Sequence, residues 1–245
     1  MSRTDIVPVL DADPELAERL PREELEAARQ ALHAHVITVE PGPWDPDKTI
    51  GRPDQPVLGL LVLEGLVTRQ VGIGGRPTTE LLGHGDLLRP WDDDSDVGIP
   101  LKVHWQALQR TRLAVLDQRF IIHTARWPAV FDALAARAVR RSRRLGFQLA
   151  TKQIMRVEGR LLVLLWSLSD RFGVVTPRGV EVRLKLTHEM IGKLVGARRP
   201  SVTTAIGALT AAGELERTAE GYRLLGDPES ALQRVDGYAS ESEAA

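Results

Sequence analysis

The 245-residue chain has no cysteine. That absence removes disulfides, thiolate zinc sites, cysteine-ligated iron-sulfur clusters and any cysteine nucleophile. Long hydrophobic runs are missing as well. The longest, Leu161 to Trp166 with Leu168 beyond it, falls far short of the roughly 20 residues a bilayer span needs, so no membrane partner is expected. The first ten residues carry an Asp and a Pro and show no basic-then-apolar pattern; no secretory signal is expected, and the cytoplasm is the expected compartment. A three-ligand metal cluster is also lacking. His33-Ala34-His35 puts two imidazoles on one strand face without a third ligand nearby and reads as a surface pair, so a cupin-like metalloenzyme is disfavoured. The chain is not expected to be an enzyme.

What is present is the composition of a globular protein, 43% hydrophobic and 27% charged residues over a length sufficient for two domains. The net charge of −1 hides a split along the chain. Residues 1–126 hold 14 Lys/Arg against 20 Asp/Glu, residues 127–155 hold 6 against 1, residues 156–228 hold 11 against 8, and residues 229–245 hold 1 against 4. Positive charge in the second half makes a modest case for a polyanion partner there.

The texture changes three times. Leu16, Leu20, Leu25, Ala28 and Leu32 recur at near-helical spacing after Pro14, and Pro21 divides them into two short helices. From about Val36 to Ile122 short apolar runs alternate with Gly, Pro and Asp. Val57–Leu63, Leu66–Val71, Leu101–Leu108 and Leu113–Leu116 are the best strands, with turns at Glu64-Gly65 and Gly72 to Gly75. Strands at such short spacing, with no helices between them, indicate a sandwich or barrel over 1–126. Pro128 then opens a helix to about Met155. Phe131, Leu134, Ala138, Leu145, Gln148 and Lys152 trace a near-heptad seam on it, broken by Arg141. Five arginines, Arg137, Arg140, Arg141, Arg143 and Arg144, read as a solvated or salt-bridged face. A helix of this length suits pairing with a second copy. Residues 229–245 are expected to be a disordered tail.

Between 156 and 228 the pattern is a helix ending near Gly173, a hairpin of Val174-Val175 with Val182–Leu186, and then a helix-turn-helix from Leu186 to Leu209. Thr187 is placed to cap a short helix with Glu189 in its first turn. Gly192 permits close approach of a second helix, Gly196 the tight turn, and Pro200 fits the first turn of the second helix. Val202, Ile206 and Leu209 form that helix's buried stripe. Arg198, Arg199, Ser201, Thr203 and Thr204 stay outside the stripe at the N-terminal end, the end that enters the major groove in such motifs. Arginine addresses guanine O6 and N7, while Ser and Thr hold phosphates or touch a thymine methyl. Thr187 and His188 are placed for backbone contacts. A second hairpin, Glu214–Arg217 with Tyr222–Leu225, forms a wing with Arg217 and Arg223 as phosphate candidates. Double-stranded DNA is the expected partner; the competing use of the motif is as a protein-contact hairpin.

Gly159-Arg160, Leu186-Thr187, Ile191-Gly192, Val195-Gly196 and Arg199-x-Ser201-Val202 resemble the cyclic-AMP receptor protein and fumarate-nitrate regulator (CRP/FNR) superfamily of bacterial transcription factors. The resemblance implies an α+β fold: an N-terminal jelly roll like a cyclic-nucleotide-binding domain, a long dimerisation helix, and a C-terminal winged helix-turn-helix. It also implies a homodimer, with RNA polymerase as a further partner. Departures are specific. Pro200 stands where the family has Glu and Thr204 where it has a later Arg, so the operator should differ from the family's best-known one. The phosphate cassette is represented only by Gly85-Asp86-Leu87. Acidic residues Asp92 to Asp96 follow, and Leu145 and Gly146 occupy the places of the pair that touches the base. Cyclic AMP is therefore not expected, although Asp86 and Arg89 leave a small anionic ligand open as an alternative means of control. Haem at His84 is not expected, and without cysteine an iron-sulfur cluster cannot form.

Overall fold

The computed structural model describes residues 5–73, 76–92 and 101–233. They divide into two compact units, before and after the junction of Arg143 and Arg144.

The first unit is built on two antiparallel sheets. One has the order β1 (Asp5–Pro8), β2 (His33–Val39), β9 (Thr111–Leu116), β4 (Gly59–Glu64), β7 (Leu87–Leu88); the other has β3 (Gly42–Trp44), β8 (Lys102–Ala107), β5 (Val67–Ile73), β6 (Arg76–Leu82). Short helices α1 (Val9–Ala12), α2 (Arg22–Ala31), α3 (Pro46–Thr49) and α4 (Gln118–Thr124) flank them. The central strands are covered on both faces, which is why they read as nearly continuous apolar runs. On β4, Leu60 and Val62 enter the core between the sheets, and Leu61 and Leu63 face the helical layer. Leu113 and Ala114 of β9 divide in the same way. Between the sheets, Trp44 and Trp105 meet edge to face with ring centroids 5.6 Å apart. The four strands expected from the sequence are present within a few residues. Strands β1, β2, β3, β6 and β7 are additions to them, and the expected glycines of the β5–β6 turn, Gly74 and Gly75, lie outside the described residues.

Helix α5 (Pro128–Thr151) crosses the junction between the units. Leu134 is buried in the first unit's core, and Arg137 is only 5% exposed, held by Asp13, by the carbonyl of Gly85 at 3.1 Å and by Glu15 at 3.3 Å. Arg141 forms a two-pronged pair with Glu80, at 2.7 and 2.8 Å. The seam drawn from sequence through Leu134 and Arg141 is thus displaced. The exposed row is Phe131, Ala135, Ala138, Ser142 and Leu149, with Leu145 half-buried among them, and its 4-3-4-3-4 spacing is that of a coiled-coil face.

The second unit packs α6 (Val157–Phe172), α7 (His188–Val195) and α8 (Arg199–Ala211) against one sheet with the order β10 (Gly173–Thr176), β11 (Gly179–Val182), β13 (Tyr222–Leu224), β12 (Leu215–Arg217). The two hairpins expected separately therefore share a sheet, and β11 ends at Val182, where the sequence suggested a beginning. Tail residues 228–233 are helical with Ala231 buried, contrary to an expectation of disorder from 229; residues 234–245 lie outside the described set.

Candidate nucleic-acid interface

Helix α7 has only 8 residues, too few to be stable alone, so its ends are fixed by other groups. Thr187 sits at the N-cap with extended backbone and accepts a hydrogen bond from the Met190 N–H at 3.1 Å. At the other end Gly196 adopts φ +69°, the left-handed conformation that closes the helix. Arg160, reaching from α6, donates to the carbonyls of Val195 and Gly196 at 3.1 and 3.3 Å. A cation on the last carbonyls also complements the helix dipole. Gly192 lies against the turn: a Cβ there would stand 2.5 Å from the Ala197 carbonyl oxygen. Together these contacts set where α8 begins.

Helix α8 starts with Arg198 at the N-cap and Pro200 in its first turn, and buries Val202, Ala205, Ile206 and Leu209. Arg198, Arg199, Ser201, Thr203 and Thr204 are all exposed at the same end. No acidic residue lies in the first turn, and neither arginine makes an ion pair with the other described residues. Two unpaired guanidiniums beside free helix N–H groups form a cationic end suited to an anionic or electron-rich partner. His188 is joined to this end, its Nδ1 2.8 Å from Thr203 Oγ1.

The wing supplies one cation where two were expected. Arg217 is exposed on β12. Arg223 is buried and its guanidinium pairs with Glu216 at 2.5 Å. Its charge is spent inside the sheet, and it is not part of the exposed interface. Neighbouring Tyr222 is buried too, and burial pushes its phenol up despite the opposing charge of Arg217. The α8 residues expected to stay outside the buried stripe share one exposed end, and of the two residues expected to touch the backbone, His188 is joined to that end through Thr203 while Thr187 caps α7. Sequence reasoning noted Arg160 only as part of a motif, because its partners lie about 35 residues away.

The ligand candidates of the first unit are occupied by the fold itself. Asp86 is buried and accepts the Gly83 N–H at 2.9 Å, clamping its own turn. Arg89 pairs with Asp92, donates to the carbonyls of Val57 and Leu58 at 2.8 and 3.0 Å, and stacks on Trp91. Asp86 thus supports its own turn and Arg89 the strand beside it; Asp93 to Asp96 lie outside the described residues. His84 Nδ1 stands 2.7 Å from the Leu63 carbonyl. Among the described residues no group of three His, Cys, Asp or Glu side chains could hold a metal ion, and no helix is long and apolar enough to cross a membrane.

Residues 159–230 match the family model of the Crp-like helix-turn-helix domain. No curated protein matches the chain. Among solved structures it is similar to a CooA mutant from Carboxydothermus hydrogenoformans, at 18% identity and TM-score 0.62 over 96% of this chain and 97% of that one. It is also similar to a CRP/FNR-family transcriptional regulator from Thermus thermophilus, at 20% identity and TM-score 0.53 over 82% and 98% of the two chains. A cyclic nucleotide-binding domain containing protein from Listeria monocytogenes gives 12% identity and TM-score 0.61 over 77% and 87%. At these identities the likeness is one of fold: a jelly-roll domain like a cyclic-nucleotide-binding one, a long helix and a winged helix-turn-helix.

Proposed function

We propose that this protein is a DNA-binding transcription regulator of the CRP/FNR type, not an enzyme, and that it acts in the cytoplasm as a homodimer that places α8 in the major groove of a two-part operator; the Crp-like domain and the likeness of fold support the reading. The observation that carries the reading is the exposed, unpaired Arg198-Arg199 end of α8 within the Crp-like domain. Arg199 and Arg198 read bases there. Thr187, His188, Ser201 and Arg217 hold phosphates and fix register, and Thr203 orients His188 through its hydroxyl. The exposed heptad row of α5 suits the second copy, and RNA polymerase is the further partner.

The jelly roll is read as a structural platform without a cyclic nucleotide. Its interior carries Trp44 and Trp105, and the Arg89 guanidinium is already engaged by two carbonyls and Asp92. Leu145 and Gly146 offer a base no side-chain hydrogen bond. The test is selection of duplexes from a random library by the full chain, followed by titration of the enriched sequence. Binding that falls steeply with salt and loses sequence preference in Arg199→Ala is the expected result; failure to enrich any sequence overturns the reading. Calorimetric titration with cyclic AMP and cyclic GMP is expected to show no binding, and micromolar affinity for either would restore the effector-gated alternative.

A further inference from the structure

The α8 row turned furthest from the buried stripe consists of Pro200, Thr204, Gly207 and Ala211, all exposed. None of these side chains can donate a hydrogen bond outward. The Thr204 hydroxyl is turned back to the Pro200 carbonyl at 3.3 Å. Beside it, Thr203 Oγ1 lies 3.1 Å from the Arg199 carbonyl and 2.8 Å from His188 Nδ1, so its single hydrogen is spent within the protein whichever bond carries it. What the two threonines still offer is a methyl group and lone pairs. Gly207 adds a second, independent observation. A Cβ there would meet nothing within 4 Å, so packing does not require glycine, and glycine in a helix interior is unfavourable relative to alanine. An open position without a side chain lets a partner surface approach the helix closely.

We propose that this face reads the C5-methyl groups of thymine. The operator half-site then pairs a guanine, addressed by Arg199, with adjacent thymines recognised by apolar contact. The thymine methyl is the one hydrocarbon group that projects into the major groove. Guanine O6 and N7, which only accept, lose water without replacement when brought against a face whose hydroxyl hydrogens are already bonded within the protein; cytosine in place of thymine forfeits the methyl contact. The inference rests on the reading that α8 enters the major groove, and it names what that surface selects.

The test uses the selected duplex and the full-length protein, with circular dichroism confirming the fold of each variant. Thymines of one half-site are replaced singly by deoxyuridine, which removes only the methyl. At one or more positions affinity is expected to fall about fourfold, the worth of one buried methyl group. Thr204→Val, which keeps the methyl, is expected to bind like the parent. Thr204→Ser, which keeps the hydroxyl, is expected to lose about fourfold and to stop distinguishing thymine from deoxyuridine at the contacted position. Gly207→Ala is expected to melt at a higher temperature and yet bind at least about tenfold more weakly, because the added methyl group costs contacts at the groove floor. Equal affinity for thymine and deoxyuridine at every position overturns the proposal, as does the reverse ranking of the two Thr204 variants. If no duplex is enriched, the underlying DNA reading falls with it; an enriched duplex without methyl sensitivity overturns this inference alone.

Discussion

Arg160 shows how one side chain sets the geometry of the interface. It belongs to α6 and yet holds the carbonyls at which α7 stops. Replacing it by methionine keeps much of the aliphatic stem and removes both charge-assisted hydrogen bonds. The expected cost is about 2 kcal/mol, measured as a shift of the urea midpoint. Duplex affinity should fall with unchanged base preference, because Arg160 positions α8 without reading a base. An unchanged midpoint contradicts its role as a clamp. The residues legible from sequence are those that act locally: Thr187 caps the Met190 N–H three positions on, and Gly196 makes a turn whose backbone needs it. Arg160 and Arg223 were legible as charges but not as partners. One bonds carbonyls 35 and 36 positions away, and the other is neutralised by Glu216 through a strand pairing that a local pattern does not reveal.

The long helix α5 is where periodicity in the sequence misleads at the scale of an element. Leu134 and Arg141 share a plausible seam with Ala138 and Leu145, but the jelly roll claims Leu134, Arg137 and Arg141 for its own packing. The apolar rows on a helix do not declare which neighbour they face. The arginines are placed by carboxylates distant in sequence, Asp13 and Glu80, and Asp13 is fully buried. Removing Asp13 takes away the buried carboxylate of this pair. Asp13→Ala leaves the Arg137 guanidinium in the core with only the exposed Glu15 carboxylate and the Gly85 carbonyl, and should cost about 3 kcal/mol in equilibrium urea denaturation. The double variant Asp13→Leu/Arg137→Met replaces the ion pair by apolar groups and should recover most of that loss. Equal destabilisation by the single and double variants would show that the cost comes from disturbed packing and not from a stranded charge.

At the scale of the whole molecule, the order of a β domain, a long helix and a helix-turn-helix was visible in changes of sequence texture. A ligand role for the first domain was not: Asp86 and Arg89, the side chains that suggested one, hold the turn and strand around them. Among the described residues, α5 carries an exposed row in which Leu149 is 64% exposed and Phe131 50%. If a second copy covers it, two α8 helices are linked, and two half-sites about 34 Å apart, one turn of DNA, can be held at once. Linkage multiplies affinity by roughly 10²–10⁴ without any new base contact. The double variant Leu145→Glu/Leu149→Glu should therefore sediment as a monomer at micromolar concentration. Its binding to a duplex carrying both half-sites should weaken by at least about 100-fold, while its binding to an isolated half-site stays close to that of the parent chain. A variant that sediments like the parent removes this face as the dimer contact. Equal losses on full and half-site duplexes would mean that the substitutions disturbed the DNA-binding domain itself, since avidity can be lost only where two sites are joined.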